Sequence, residues 1–409
     1  MEEKDDKPNS KLKEEEEEEE EEKEEQNQEI WNWGAGTDGQ LGTGSLHDEH
    51  LPQLLPLPSL SSPAGPPSLS LLSCGGAHVL ALTSCGRVLS WGRGTSGQLG
   101  HGDMTPNSPI PKLVTLLESH FITHVSAGWN HSGFVSDKGF LFTCGDGSFG
   151  QLGHGDYGSH CSPVKVSYLV GNRVEQIACG MRHSLVLSRG DSGDRVYAFG
   201  SGKRGQLGIS TDKISTVNLP KVTCGLEGAK IASIAANGDH SAALSDDGHL
   251  YTWGRGFPGN SDARCPVHLP TSFRFTNAAL GWNHALLLTG DGEALMLGHH
   301  RVLGNPDKIS SMKHLEDSKE GVLEVVPGLE GEKVVHIAAG AEHSVLNGLV
   351  KTWGWGEHGQ LGLGDTCDQT GPQTVNLGQE VPNEAAKIKV YSGSGFTIAV
   401  RTPTVLSQT

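Results

Sequence analysis

The chain has 409 residues and a net charge of −17, with 57 glycines and 19% charged residues. Glycine is thus about twice as frequent as the ~7% of an average globular chain and charged residues fall below the usual ~25%, which argues against coiled coils and helical bundles. The glycines have no three-residue period, which excludes collagen, and no stretch approaches the ~20 apolar residues of a membrane-spanning helix, so we predict a turn-rich, all-β protein with no membrane partner.

The first segment, residues 1–29, carries most of the negative charge. It contains the uninterrupted run from Glu14 to Glu22, and Leu12 is almost its only apolar residue. Such a segment cannot bury enough surface to offset the entropy of ordering, so we predict a disordered, Glu-rich tail. Solubilisation is its simplest role, and docking to a basic partner is the alternative. Its sign argues against direct binding of nucleic acid, because contacts to phosphate need lysine and arginine.

A glycine-rich phrase then recurs along the chain. It reads WGAGTDGQLGTG at 33–44, WGRGTSGQLGHG at 91–102, CGDGSFGQLGHG at 144–155, FGSGKRGQLGIS at 199–210 and WGWGEHGQLGLG at 353–364, with weaker copies from Trp253 and Leu297. The first glycine of each copy serves as a marker, at Gly34, Gly92, Gly145, Gly200, Gly254, Gly298 and Gly354. This periodicity predicts seven units of a repeat architecture.

A second phrase, of the form GxxH, precedes most copies. Its histidines are His78, His131, His183, His240, His284 and His343. The interval from histidine to marker fits a tight hairpin, and dipeptides such as Asp247-Gly248 and Asp291-Gly292 supply its turn. Apolar segments such as 174–180 add a third strand. Segments such as 163–166, which begin with proline, add a candidate fourth, since proline is tolerated at an outer edge.

Four short strands in each of seven units predict a seven-bladed β-propeller. The chain begins with an isolated marker half at Trp33-Gly34 and ends with a GxxH-like half at 390–400. We predict that these N- and C-terminal strands pair and close the ring, which also covers the sheet edges. The predicted domains are the tail at 1–29, the propeller at 30–402 and a C-terminal tail at 403–409.

The marker phrase also matches the pattern GxGxxG of dinucleotide sites. Such a site needs the pattern once, before a helix and with an acidic residue about 20 residues further on, whereas repetition indicates structure. Glycine supplies positive φ and close backbone approach. The leucines of the QLG triplets are predicted to wedge between blades, at Leu41, Leu99, Leu152, Leu207 and Leu361.

The recurring histidines stand at the same place in separate units, so they are not expected to converge on one metal ion. We predict buried rings that bond neighbouring backbone groups, and metal binding by the local pair His299-His300 is the weaker interpretation. The sequence lacks P-loop, GxSxG and HExxH motifs. We therefore predict no cofactor, no metal and no catalytic residue.

Eight cysteines are present without a CxxC pair, and the N-terminus MEEKDDKPNS does not resemble a secretory signal. We expect free thiols in a reducing compartment, the cytoplasm, with the nucleus as an alternative. Several cysteines occupy repeat positions where other copies have alanine, serine or tryptophan, which predicts small core residues.

The units resemble the repeats of the regulator of chromosome condensation family, whose seven-bladed propellers combine the same two halves and the same split blade. The resemblance covers about residues 30–402 and implies the fold. It is less specific for function, because one scaffold supports many functions. The family includes an exchange factor for the small GTPase Ran, a plant ultraviolet-B receptor and many regulatory proteins.

The resemblance can be tested at the two-residue gap between Gly and His. The exchange factor uses acidic gap residues and a hairpin wedge after one marker, whereas here only Asp239 and Glu342 are acidic and no copy is followed by an obvious long wedge. The photoreceptor clusters tryptophans and arginines of consecutive blades. Here Trp129 and Trp282 are separated by two units without such a tryptophan, so we expect their rings to be apart, and Arg182 is the sole arginine.

We therefore predict a monomeric, non-enzymatic protein-interaction propeller. Exchange on a Ran-like small GTPase is the alternative, and ultraviolet sensing is a less favoured one. The candidate partner-binding face consists of Trp129, Asn130, Arg182, Asp239, Trp282, Asn283 and Glu342.

Three irregular features remain. The interval from His343 to Trp353 is short, which predicts a tight turn at Asn347-Gly348 between shortened strands, and the segment 45–71 is predicted to be a long loop. The weakened units at 253–353 reflect either relaxed constraint or a surface reshaped for a partner.

Overall fold

A computed structural model describes residues 28–57, 68–104, 106–190, 193–256, 261–298, 323–329, 331–347, 349–378 and 386–403. The acidic run of the predicted tail, the pair at 299–300, Gly348 and residues 404–409 lie outside these ranges. Within them, 28 strands form seven four-stranded antiparallel sheets. The innermost strands of all seven sheets line one axial cavity, so the sheets are the blades of a propeller.

From the innermost strand outward, blade 1 contains β3 (Leu69–Cys74), β4 (His78–Thr83), β5 (Val88–Arg93) and β6 (Asn107–Leu113); blade 2 contains β7 (Ile122–Ala127), β8 (His131–Ser136), β9 (Leu141–Gly145) and β10 (His160–Lys165); blade 3 contains β11 (Arg173–Cys179), β12 (His183–Arg189), β13 (Arg195–Ser201) and β14 (Thr216–Val222); and blade 4 contains β15 (Ile231–Asn237), β16 (His240–Ser245), β17 (Leu250–Gly254) and β18 (Ala263–His268).

In the same order, blade 5 contains β19 (Phe275–Leu280), β20 (His284–Thr289), β21 (Ala294–Gly298) and β22 (Leu323–Val325); blade 6 contains β23 (Ile337–Ala339), β24 (His343–Leu346), β25 (Lys351–Gly354) and β26 (Gln369–Thr374); and blade 7 contains β27 (Ala386–Ser392), β28 (Phe396–Pro403), β1 (Glu29–Gly34) and β2 (Glu49–Leu54). Short 3-10 helices at Thr115–Leu117 and Ser167–Leu169 follow β6 and β10.

Blade 7 combines the two ends of the propeller sequence, which confirms the predicted closure. β28 pairs antiparallel with β1 from the pair Glu29 and Arg401 to the pair Gly34 and Phe396. The Arg401 guanidinium also binds the Glu29 carboxylate. Gln28 accepts a hydrogen bond from the Leu69 N–H at 2.6 Å, which ties the start of β1 to blade 1. The ring is thus closed by hydrogen bonds and packing.

The marker glycines allow the marker phrase of a blade to pack against the two-residue gap between Gly and His of the same blade. Gly92 ends the regular part of β5 with φ +98°, and a Cβ added there would lie 2.4 Å from the Ala77 carbonyl oxygen. The N–H of Arg93 donates to that same oxygen at 2.8 Å. Any side chain at position 92 would therefore break the contact between the gap and the marker phrase.

The QLG triplets join neighbouring blades. Leu41 of blade 7 is buried in one apolar cluster with Trp91 of blade 1, and the Trp91 Nε1–H donates to the Gln40 carbonyl at 2.9 Å. Trp33 and Trp253 repeat this bond with the carbonyls of Gln360 and Gln206. The predicted packing of a QLG leucine between blades is confirmed.

The prediction of one long loop over 45–71 is wrong. β2 occupies Glu49–Leu54 as the outermost strand of blade 7, and β3 begins at Leu69. Pro52 fits in β2 because an outermost strand can present a position without an N–H to solvent. The side chains of β2 are half-buried or exposed, so the sequence of this strand lacks the alternation of apolar and polar residues that predicts a strand.

The shortened hairpin of blade 6 is confirmed, and one asparagine compensates for it. β24 and β25 have four residues each. The Asn347 Oδ1 accepts hydrogen bonds from the N–H groups of Val335 at 3.0 Å and His336 at 2.7 Å. Its Nδ2 donates to the Ile388 carbonyl at 2.6 Å, so this side chain joins blade 6 to blade 7.

We expect Asn347→Ala to lower the free energy of unfolding by about 2–4 kcal/mol, because it leaves two N–H groups and one carbonyl without this partner. Urea unfolding measures the change. The exposed Asn376→Ala is the matched control, with an expected change of about 0.5 kcal/mol or less. Equal losses in the two variants would show that the Asn347 bonds do not stabilise the boundary between blades 6 and 7.

Candidate protein-binding face

Two sets of connections share one end of the propeller. Each gap joins the first strand of a blade to the second, and each marker phrase joins the third to the fourth, so in antiparallel sheets both leave the same end. Backbone bonds join them, as from the Ser201 N–H to the Arg182 carbonyl at 2.7 Å and from the Trp355 N–H to the Glu342 carbonyl at 2.8 Å. We call this end the gap face. It holds all seven candidate residues, Trp129, Asn130, Arg182, Asp239, Trp282, Asn283 and Glu342.

Trp129 and Trp282 meet at the centre of the gap face. Their ring centroids are 5.5 Å apart and the rings are tilted by 42°. The Trp129 ring lies against Gly76 of blade 1, and the Trp282 ring lies against Gly238 of blade 4. The expectation that the two rings are apart is wrong, because first gap residues point towards the axis and those of blades 2 and 5 meet across it.

An axial cavity of about 350 Å³ lies beneath the tryptophans. Its polar side chains join neighbouring inner strands: the Ser73 Oγ accepts from the Ala127 N–H, and the Ser126 Oγ accepts from the Cys179 N–H, each at 2.9 Å. The Asn237 Nδ2 likewise donates to the next inner strand, in blade 5. These groups therefore serve the closure of the ring.

The second gap residues form a ring around the tryptophan pair. Two of them bond each other, since the Asn283 Nδ2 donates to the Glu342 Oε1 at 3.3 Å. The Asp239 Oδ1 accepts from Gln206 of blade 3 at 2.9 Å. Arg182 is exposed, and its guanidinium carbon lies 4.9 Å from the centroid of the Phe149 ring. Several candidate side chains are thus held in place before any partner binds.

Charge on the gap face is unevenly distributed. Blades 3 and 4 present six exposed basic residues, Arg182, Lys203, Arg204, Lys213, Arg255 and Arg264, against three acidic ones, Asp212, Asp239 and Asp262, of which Asp262 pairs with Arg204 at 3.1 Å. Blades 6 and 7 present acidic residues instead, among them Asp48, Glu342, Glu357, Asp365 and Asp368. A protein bound across the tryptophan pair would contact a basic sector on one side and an acidic sector on the other.

Sequence reasoning missed Trp355, which directly follows a marker glycine. Its Nε1–H donates to the Glu357 Oε2 at 3.2 Å, and its ring meets the His358 ring edge-on with centroids 5.2 Å apart. His358 in turn lies 2.9 Å from the Asp48 Oδ2 of blade 7. The signal was available, because the residue after the marker varies between copies as the gap residues do.

The recurring histidines are buried, but most bond a hydroxyl group of the next blade rather than backbone. Their Nε2 atoms lie 2.9–3.0 Å from these partners: His78 from Ser132, His131 from Ser184, His183 from Ser241, His284 from Ser344 and His343 from Thr397. The predicted backbone bond occurs at His240, which lies 2.7 Å from the Trp282 carbonyl.

The residue after each histidine explains this difference. His240 faces blade 5, where Ala285 replaces the serine, so the Trp282 carbonyl takes the role of the hydroxyl. In blade 7 Phe396 replaces the histidine, and in the next blade Val79 replaces the serine. Both are fully buried in one apolar cluster. At the boundary between blades 7 and 1, an apolar pair thus replaces the polar pair of the other boundaries.

The histidines act as neutral donors. The Ser132 Oγ donates its hydrogen to the Gln98 carbonyl at 2.7 Å, so it must accept from the His78 Nε2–H. Burial lowers the pKa of His78 to about 3 and that of His131 to about 4. Among the described residues, no group of three or more His, Cys, Asp or Glu side chains is arranged to hold a metal ion.

We expect Ser132→Ala to lower the free energy of unfolding by about 1–3 kcal/mol, because it leaves the buried His78 Nε2–H without its acceptor. The exposed Ser84→Ala is the control, with an expected change within about 0.5 kcal/mol. Thermal and urea unfolding of both variants provide the comparison. A Ser132→Ala protein as stable as the control would contradict a stabilising role for the histidine bonds.

The connection after the marker of blade 5 is longer than the equivalent connections of the other blades. β21 ends at Gly298 and β22 begins at Leu323, so the third and fourth strands of blade 5 are connected by the segment 299–322. The equivalent segment of blade 2 is 146–159. The length of this connection was not evident in the sequence, because the three-residue β22 that ends it has almost no sequence signal. Gly298 ends β21 at the gap face, and the segment that follows it, which includes the pair His299-His300, lies outside the described residues.

In the described part of the chain, no helix has the length and apolar character needed to span a membrane.

Comparison with known proteins matches the chain over residues 29–399 to the model of the RCC1-like domain. The chain is similar to the ultraviolet-B receptor UVR8 of Arabidopsis thaliana, with 32% identity over 351 residues, or 82% of this chain and 76% of the receptor. It is also similar to the secretion-regulating guanine nucleotide exchange factor of Mus musculus, with 29% identity over 401 residues, or 91% of this chain and 83% of that protein.

Among solved structures, the fold is similar to that of Prp20p from Saccharomyces cerevisiae. The TM-score is 0.74 and the identity 25%, and the match covers 94% of this chain and 93% of Prp20p. Binding to Gsp1p and histones has been described for that protein.

Proposed function

Because the chain belongs to the RCC1-like domain family, we propose that it is a non-enzymatic protein-interaction propeller whose gap face binds a protein partner. The observation that carries this proposal is the meeting of Trp129 and Trp282 at the centre of that face. Protein interfaces concentrate their binding energy in central aromatic anchors surrounded by polar and charged side chains. The gap residues supply both parts.

Pre-positioned side chains support the same assignment. Glu342 is held by Asn283 and Asp239 by Gln206, so less conformational entropy is lost when a partner binds. The described relatives point in the same direction, since Prp20p binds proteins. We propose that the protein acts as a monomer in the cytoplasm, with the nucleus as the alternative, and that its partner is a protein rather than nucleic acid or a membrane.

Affinity capture with four versions of the chain tests the proposal. They are the wild type, a variant lacking residues 1–27, the double variant Trp129→Ala/Trp282→Ala, and the variant Lys138→Ala on the opposite end of blade 2. We expect partners with the wild type, the tail-less variant and Lys138→Ala, and loss of them with the tryptophan variant. Partners that need the tail and tolerate the tryptophan changes would refute the proposal. Thermal unfolding checks that each variant is folded.

Guanine-nucleotide exchange on a small GTPase is the second candidate. It is supported by the similarity to an exchange factor, by the acidic Asp239 and Glu342 on the gap face, and by the long connection 299–322 that follows β21. Release of a fluorescent nucleotide from a panel of small GTPases tests it. We expect that the protein does not accelerate nucleotide release from any of them. Acceleration that Asp239→Ala abolishes would favour exchange instead.

Ultraviolet sensing is a further candidate because of the similarity to UVR8 and the contact between two indole rings. Arg182, the one arginine among the gap residues, does not support ultraviolet sensing, because its guanidinium lies against the Phe149 ring instead of either indole ring. It therefore ranks below the other two.

The indole contact has a spectroscopic consequence. Two rings 5.5 Å apart and tilted by 42° couple their transitions, so we expect a far-ultraviolet circular dichroism couplet. Trp129→Phe should remove most of it, and Trp31→Phe, in β1 of blade 7, should leave it unchanged. A spectrum insensitive to Trp129→Phe would show that the rings are not in contact in solution.

A further inference from the structure

Two cysteines from neighbouring blades are in contact at the rim of the propeller. Cys224 lies two residues beyond the end of β14, the outermost strand of blade 3, and Cys265 lies in β18, the outermost strand of blade 4. Their Sγ atoms are 2.8 Å apart, and both side chains are half-exposed. This differs from the predicted use of the cysteines as small core residues, which fits the buried Cys144 and Cys179 but not the exposed Cys85 and Cys367.

The backbone on both sides of the sulfur pair is held in place. The Cys224 N–H donates to the Gly208 carbonyl at 2.8 Å, and its Sγ lies 3.0 Å from the same oxygen. On the other side, the Arg264 guanidinium donates to the Thr211 carbonyl of blade 3 at 3.3 Å. The Cys224 contacts lie within blade 3, beside the boundary, and the Arg264 contact crosses it to blade 4. Together they keep the two sulfurs close without a covalent bond.

We propose that Cys224 and Cys265 are a redox modification site that forms a reversible disulfide between blades 3 and 4. A disulfide requires a sulfur separation of about 2.05 Å, so the two sulfurs need to approach by less than about 1 Å. That movement is within the range of side-chain rotation and leaves the backbone contacts in place.

A disulfide such as oxidised glutathione is the oxidant of this reaction. The thiolate of one cysteine attacks a sulfur of oxidised glutathione, which breaks its S–S bond and releases one reduced glutathione. The thiolate of the second cysteine then attacks the protein sulfur of this mixed disulfide and releases a second reduced glutathione. The protein loses two electrons and two protons, and one glutathione disulfide becomes two thiols.

The surroundings of the pair set its rate. Burial, followed by the hydrogen bond with Cys265, raises the pKa of Cys224 to about 11. Little Cys224 thiolate is therefore present near neutral pH, and attack by this thiolate rises about tenfold per pH unit below this pKa.

Oxidation of the full-length chain in glutathione buffers, followed by peptide mass spectrometry without reduction, tests the proposal. We expect a cross-linked peptide pair containing Cys224 and Cys265, formed about tenfold faster at pH 8 than at pH 7, and a midpoint of thermal unfolding raised by a few degrees. Cys265→Ser should remove the cross-link and leave Cys224 as a glutathione adduct or a free thiol. Cys85→Ser is the matched control and should retain the cross-link.

The wild-type measurement alone can overturn the proposal, so it does not depend on the folding of any variant. The proposal is wrong if Cys224 and Cys265 remain free, or carry separate glutathione adducts, under conditions that modify the exposed Cys85 and Cys367. It is also wrong if Cys224 cross-links to other cysteines as readily as to Cys265.

Discussion

Ile398→Glu is expected to abolish cooperative folding of the propeller. Ile398 is fully buried in β28, between Asn32 of β1 and Tyr391 of β27, in the blade that joins the two ends of the propeller sequence. A glutamate there would place an unpaired carboxylate in an apolar cluster, at a cost of several kcal/mol. Native domains are stable by only about 5–15 kcal/mol, so one such change can open the ring.

Lys389→Glu is the matched control, because Lys389 is exposed on β27 of the same blade. Circular dichroism and limited proteolysis report folding, and size-exclusion chromatography reports compactness. We expect Ile398→Glu to lose its thermal transition and to be cleaved rapidly, while Lys389→Glu behaves as the wild type. A cooperative transition of Ile398→Glu near the wild-type midpoint would show that closure of blade 7 does not hold the ring together.

Acid is expected to destabilise the protein steeply between about pH 6.5 and pH 4. Burial lowers the pKa of His78 and His183 to about 3, and that of His124, His131 and His336 to about 4. An unfolded histidine has a pKa of about 6.5. Below that pH the unfolded chain binds more protons than the folded one, so stability is complete above pH 6.5 and is lost as pH falls towards the folded values.

Each buried histidine contributes a slope of about 1.4 kcal/mol per pH unit near pH 5. Several of them together would remove most of the stability of a typical domain. Urea unfolding at pH 7, 6 and 5 measures the slope, and His131→Asn should reduce it, whereas His47→Asn, at an exposed position, should not. Equal stability at pH 7 and pH 5 would mean that the histidines are not buried as neutral rings.

The fold could be predicted because the residues that each blade requires recur in almost every unit of the sequence. Marker glycines such as Gly92 are required by positive φ and a close carbonyl, and the isolated marker half at Trp33-Gly34 indicates a partner at the other end of the sequence. Local patterns of this kind specify each blade and also its closure.

Contacts between units could not be predicted in the same way. Trp129 and Trp282 are 153 positions apart in the sequence, yet their rings meet across the axis. The order of the blades around the ring does not predict such a contact. The partner of each buried histidine lies in the next blade. Only the structure shows that Ser132 lies opposite His78 and Ala285 opposite His240. The three-residue β22 was missed because such a short strand carries almost no pattern.

The position of the bound partner on the propeller tests the central claim most directly. A photo-reactive phenylalanine analogue is placed at position 182 on the gap face and, in a separate protein, at position 138 on the opposite end of the propeller. After irradiation of each complex with a captured partner, we expect a cross-link from position 182 and none from position 138. Cross-links from position 138 alone would contradict it.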